Sequence, residues 1–147
     1  MTMKISFLIF LILALVSCTE FPDCQETRVD YARARFFSAA DSLLTEVILD
    51  SVMVSGSDVV LYEQDTLSEV SLPLDPLADE STFFLFIEGE TNTLVLNHSS
   101  KLEVLSPDCG PLQSFFDIEI GDHSFDSVAL ISPLADLRIS NNVEIYR

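Results

Sequence analysis

The pattern of apolar and polar positions divides the chain into a short greasy start and a long alternating remainder. Behind the single base Lys4, apolar residues run from Ile5 to Val16, interrupted only by Ser6. About a dozen residues is short for a membrane span, which needs roughly 20, and fits the apolar helix of a secretory signal peptide. From Thr27 on, the period falls to two. VILDSVMV (47–54), DVVLYE (58–63), EVSLPL (69–74), STFFLFIE (81–88), TLVLNH (93–98) and KLEVLS (101–106) read as strands, as do FFDIEI (115–120), DSVALIS (126–132) and NVEIYR (142–147). In each, β-branched and aromatic residues sit between turn-forming residues. VDYARARFF (29–37) reads as an opening strand, although its alanines also permit a helix, and SAADSLLTEV (38–47) has room for a helical turn or two. GETN (89–92) is the expected hairpin turn. In FFDIEI, strict alternation places Phe116, Ile118 and Ile120 inward and Asp117 and Glu119 outward. Strands at about ten-residue spacing, with no strand–long helix–strand alternation, predict an all-β fold. The specific expectation is an antiparallel, immunoglobulin-like β-sandwich of about 7–9 short strands behind a signal-peptide helix.

The end of the apolar run fixes an address. Leu15, Val16 and Ser17 precede Cys18. A branched residue three before a cysteine and a small one just before it resemble the bacterial lipobox. There a peptidase cuts before the cysteine once its sulfur carries diacylglycerol. The competing reading is an ordinary signal peptide with an incidental cysteine. On the lipobox reading, 1–17 is a lipoprotein signal peptide, 18–26 a lipidated tether and 27–147 the β-sandwich domain, with Cys18 the lipidation site.

Charge narrows the partners. Residues 1–17 hold one base and no acid, so their removal takes the net charge from −17 to −18. Such a chain is repelled by nucleic acid, which binds Lys/Arg-rich surfaces. It is also repelled from lying flat on an anionic bilayer. Once Cys18 carries lipid, Cys24 and Cys109 remain. Two thiols in an exported protein read as a disulfide, against the alternatives of free thiols or a metal pair. No CxxC or Cys/His cluster supports a metal.

Catalytic constellations are thin. Asp122, His123 and Ser124 are consecutive, and neighbours on a strand point to opposite faces, so they read as a polar turn. His98 ends a predicted strand, and no GxSxG elbow is present. Asp75, Asp79 and Glu80 share the loop LDPLADE, whose hard oxygens suit calcium but lack EF-hand spacing. Paired carboxylates for glycoside hydrolysis stay open, but the chain has no tryptophan to stack on a sugar. The expectation is no enzyme, no catalytic residue, no metal and no cofactor. Phe83, Phe84 and Phe86 put apolar groups on both faces of one strand, which suggests a central strand covered on both sides rather than an exposed patch.

Asp-Ser/Thr-aliphatic recurs four times, at Ser42, Ser51, Thr66 and Ser127. The motif resembles the O-glycosylation sequon of exported Bacteroidota proteins. It equally suits the start of a strand, because Asp and Ser favour turns. The lipobox, LPLDP (72–76), NTLVL (92–96), LSPDCG (105–110) and the terminal NNVEIYR (141–147) together resemble a family of small Bacteroidota lipoproteins catalogued as a domain of unknown function. The resemblance implies an exported β-rich domain and no catalytic residue. Thr19, rather than aspartate, follows Cys18, which by resemblance to the sorting rule of Gram-negative lipoproteins favours the outer membrane. The expected role is structural or protein-interacting, at the periplasmic face rather than the cell surface, with an envelope protein as possible partner. The competing class is a ligand-binding module for a small molecule, a glycan or calcium.

Overall fold

The computed structural model describes residues 28–106 and 110–147. The segments read above as a signal peptide (1–17) and a tether (18–26), with Cys18 and Cys24, lie outside the described residues, as does Cys109. Within them the chain forms nine strands and no helix: β1 (Tyr31–Phe37), β2 (Val47–Val54), β3 (Val60–Leu67), β4 (Glu69–Pro73), β5 (Glu80–Ile87), β6 (Glu90–Ser106), β7 (Gly110–His123), β8 (Ser127–Leu130) and β9 (Val143–Tyr146). They make two sheets, ordered β4-β1-β9-β8 and β3-β2-β5-β6-β7. Antiparallel pairing dominates, as the alternation predicts. The exception is β1 with β9, which run parallel from Ala34 beside Val143 to Phe37 beside Tyr146.

The sheets close on one core. The first contributes Ala32, Ala34, Phe36, Val70, Leu72, Val143 and Ile145, and the second Val52, Phe83, Leu85, Ile87, Leu94, Leu96 and Ile118. All are buried, and each large one removed from water is worth about 1.5–3 kcal/mol, an upper bound because unfolded chains already bury some surface. The chain links the two sheets at both long edges. At one, Ser68 alone joins β3 to β4, so the chain steps between sheets; Phe36 N–H donates to the Ser68 carbonyl (3.0 Å), and Ser71 N–H donates to the Tyr62 hydroxyl (2.9 Å). At the other, Ile118 N–H donates to the Pro133 carbonyl (3.0 Å) and Ala135 N–H to the Phe115 carbonyl (3.2 Å), so segment 133–135 covers the free side of β7. Unpaired edges would otherwise template pairing with another chain.

Four local expectations are corrected. Strands 93–98 and 101–106 are one strand, β6, because Ser99 and Ser100 pair with Phe116 and Phe115, and this pairing overrides the turn preference of NHSS. The two-residue hairpin turn begins one residue before GETN. Its two central residues, Glu88 (φ 53°) and Gly89 (φ 81°), both take positive φ, the type I′ geometry that matches strand twist. Residues 38–47 form no helix beyond one turn, which Ser42 N–H closes on the Ser38 carbonyl (2.9 Å). Ser38 N–H donates to the Leu43 carbonyl (2.9 Å) and Thr45 N–H to the Phe36 carbonyl (2.9 Å), closing a tight loop that leaves Leu43 and Leu44 exposed. With no core to bury those leucines in, extending that turn into a helix would not repay the cost of nucleation. In β7, a bulge at Asp117 (φ 52°) shifts the phase, so Phe115 and Ile118 point inward and Phe116 is only half-buried.

The phenylalanine run is covered on one side. Phe83 is fully buried, while Phe84 and Phe86 stand half-buried on the outer face of β5. There Phe84 lies between Met53 and Thr93, and Phe86 between Ser51 and Thr91.

Candidate functional site

Two places gather polar chemistry around Phe115. The first is a cleft of about 290 Å³ at the free edge of β7, lined by side chains of β6–β7, by Arg28 and by residues 134–136 of the covering segment. Its floor is apolar: Phe115 and Ala135 are buried. Its rim is charged. Alternation along β6 turns Lys101 and Glu103 toward the cleft and leaves Leu102 and Val104 exposed, at 65% and 71%. Glu103 accepts from Arg28, and Lys101 Nζ lies 2.6 Å from its other oxygen. Hydrogen bonding from Lys101, then from Arg28, holds the Glu103 carboxyl below the usual carboxylate range. Arg28 also forms an antiparallel bridge with Asp136. Two bases face two acids, so the rim is balanced in a chain that is otherwise strongly acidic. Such a cleft can seat the flat apolar part of a small molecule with polar groups at its edge.

The second place lies behind that floor. The His98 ring meets Phe115 edge-on at 5.3 Å between centroids. His98 Nε2 and Ser81 Oγ are joined by a 2.9 Å hydrogen bond, and both residues are more than nine-tenths buried. Ser81 Oγ also accepts from Asp75 N–H (2.9 Å), and His98 N–H donates to the Asp79 carbonyl (2.9 Å). Burial lowers the His98 pKa, an effect partly offset by the negative charges of Asp75 and Asp79. A serine beside a histidine has the makings of a nucleophile and base. Here the serine is committed to Asp75 and sealed from solvent, so the pair acts as a staple holding loop 74–79 against β5 and β6. The sequence carried a signal for Ser81: it takes an inward position in the series Ser81, Phe83, Leu85, Ile87, where a polar side chain demands a buried partner.

The residues singled out from sequence are scattered. Asp122, His123 and Ser124 are exposed, but the first two are the last residues of β7 and His123 pairs with Leu94, so they are strand rather than the expected turn; Ser124 Oγ accepts from Thr93 N–H (2.9 Å), and the three form no triad. Asp75 Oδ1 accepts from Leu77 N–H (2.8 Å), shaping its loop. Among the described residues, no three His, Cys, Asp or Glu side chains stand close enough to hold a metal ion. Of the four Asp-Ser/Thr sites, Ser42 lies in an exposed turn, Thr66 and Ser127 are exposed near strand ends, and Ser51 is half-buried in mid-strand.

No curated protein and no solved structure gives a significant match to the chain. One family does match, over residues 35–147, from the middle of β1 to the last residue of the chain. That span takes in eight of the nine strands whole, the staple and all of the cleft except Arg28. The chain therefore belongs to the family of unknown function DUF6452.

Proposed function

We propose that the chain is a lipid-anchored envelope protein whose β-sandwich serves a structural or protein-interaction role close to the membrane. The observation that carries this reading is where the domain is held. Arg28, ten residues after Cys18, is clamped to β6 through Glu103 and to the 133–136 segment through Asp136. A tether leaving Cys18 thus attaches at one end of the sandwich, and the opposite end is free to meet a neighbour. The same clamp supports the Cys24–Cys109 disulfide. Cys24 is four residues, at most about 14 Å of chain, from Arg28. Cys109 directly precedes Gly110, which pairs with Ser106 three residues beyond Glu103. Thr19 after the cysteine supports outer-membrane residence, with the periplasmic face favoured.

The test is metabolic labelling with palmitate, followed by crosslinking and pull-down from native membranes. Wild type is expected to take up label and to retain one envelope protein reproducibly, and Cys18→Ser to do neither. Equal labelling of Cys18→Ser would overturn the anchor. The cleft favours a second reading, a module for a small ligand with an apolar body. On that reading, replacing Ala135 on its floor with Leu abolishes ligand binding without unfolding the domain.

A further inference from the structure

We propose that the end of the sandwich bearing Leu102 and Val104 is the surface that meets the bilayer, end-on, an inference that rests on the reading of Cys18 as lipidated. The strand registers place the 74–79 loop, the outer part of β6–β7, Arg28 and segment 133–138 at one end of the molecule. The β5–β6 turn and the 38–45 loop lie at the other. Exposed large apolar side chains are unevenly divided between them. Leu77, Leu102, Val104, Leu134 and Leu137 are at the first end, each about half exposed or more, and Leu77 is 95% exposed. Leu43, Leu44 and Ile48 are at the other.

Two of the first group, Leu102 and Val104, sit on a paired arm. Among the described side chains of β6, which run to Val104, His98 is the last buried one, yet the strand runs on to Ser106 beside β7. From Lys101 the arm projects roughly 20 Å at 3.4 Å per residue. Leu102 and Val104 share one face of the arm, which pairs with β7 on one side and, past Asn97, with no strand on the other. Exposed apolar side chains aligned on one face of such a ribbon suit the interfacial layer, where water still serves the free edge of the backbone. Arg138 is exposed at the same end, where its long side chain can lie along the interface with its charge in the headgroup layer, while Lys101 and Arg28 stay paired with Glu103.

Chain length points to the same occupant. Cys18 and Arg28 are ten residues apart, at most roughly 33–36 Å fully extended, so this end is held near the leaflet that carries the lipid. The charge selects the lipid. Asp75, Asp79 and Glu80 flank the arm, so the contact is apolar in origin, favours zwitterionic headgroups and weakens as anionic lipid is added.

The chain contains no tryptophan, so a single introduced one is a clean reporter. Full-length lipoproteins carrying Leu102→Trp, Val104→Trp or, at the far end, Leu43→Trp are reconstituted into phosphatidylcholine vesicles containing brominated phosphatidylcholine. Emission from Trp at 102 and 104 is expected to shift to shorter wavelength and be quenched, and both effects to diminish when phosphatidylglycerol is added. Trp at 43 is expected to stay solvent-like and unquenched. Vesicle flotation separates the two ways to fail. Proteins that float with 102 and 104 unquenched overturn the contact face and leave the anchor standing. Blue-shifted but unquenched emission at 102 assigns the arm to a protein partner or a second copy and overturns the bilayer. Failure of all three proteins to float overturns the anchor and this proposal with it.

Discussion

The two halves of β6 obey the same pairing rule and meet different fates. Both pair with β7 and both alternate apolar with polar residues. In the first half, Leu94 and Leu96 are fully buried and His98 is 4% exposed. In the second half, Leu102 and Val104 stand in the open. The difference lies across the sandwich. The facing sheet offers β8 and β9, four residues each, and ends before the arm does. Alternation establishes that a strand has an apolar face; what covers that face depends on the lengths of other strands.

The sharpest way to break this comparison is to truncate one leucine in each half. Leu96→Ala removes packed methyl groups from the closed core and is expected to destabilise by about 2–5 kcal/mol. Leu102→Ala touches no core and should stay within about 0.5 kcal/mol. Urea unfolding of the chain from Thr19 on measures both. Equal losses would mean that the arm is buried in solution, in a dimer for instance, and concentration-dependent unfolding would then appear.

The next effect asks whether the arm is tied to the tether. With a Cys24–Cys109 bridge intact, Cys109→Ser is expected to cost about 2–4 kcal/mol, because closing a loop of about 85 residues restrains the unfolded chain. Non-reducing mass spectrometry of the same protein should show the two-hydrogen deficit of one disulfide. A wild-type protein that alkylates at both thiols without denaturant, and whose stability Cys109→Ser leaves unchanged, would remove the bridge.

Both halves of β6 were legible as strands in the sequence; that they form one strand, and that the apolar face of the second goes uncovered, was not. All nine strands could be placed because Val, Ile, Phe and Leu alternate against polar residues over five or more positions in most of them. Phase inside a strand was less secure. Asp117 looks like an ordinary outward residue of FFDIEI, yet its positive φ makes the bulge that turns Phe115 inward. Such a bulge answers to the partner strand, which local sequence does not display. The same applies to the cleft, whose walls come from Arg28, β6, β7 and residues 134–136, far apart in the chain. Ser81 was the readable exception, since a lone polar residue on an inward series needs a partner.

That partner gives a smaller perturbation confined to the buried half. Ser81→Ala leaves the Asp75 N–H without its acceptor and His98 Nε2 without its hydrogen bond, and is expected to cost about 1–3 kcal/mol. Hydrogen exchange should rise first in loop 74–79. Uniform loosening of the whole domain, with no added exchange in that loop, would mean that the pair does not staple it.

The smallest expected effect is a pH dependence carried by His98, with no counterpart in the arm. Burial lowers its folded pKa below the ordinary 6.5, and the charges of Asp75 and Asp79 only partly offset this. Above 6.5 the imidazole is neutral in both folded and unfolded chains, and the stability it permits is present in full. As pH falls below that value, the unfolded chain takes up the proton first. Stability therefore drains as pH descends through the folded pKa and levels off beneath it, where both states are charged. Carboxylates are a separate influence. Asp41 and Glu103 have pKa values lowered by hydrogen bonding, so their contributions fade only at more acidic pH. His98→Gln keeps a side chain able to bond Ser81 and removes the titration. Between about pH 7 and pH 5 the wild type should lose stability relative to His98→Gln, measured by urea midpoints at matched ionic strength. The same difference is expected in a Leu102→Ala background, because the arm takes no part in it. Parallel profiles would show that His98 carries no such linkage, and a difference that vanishes with Leu102→Ala would show that the two halves of β6 are coupled.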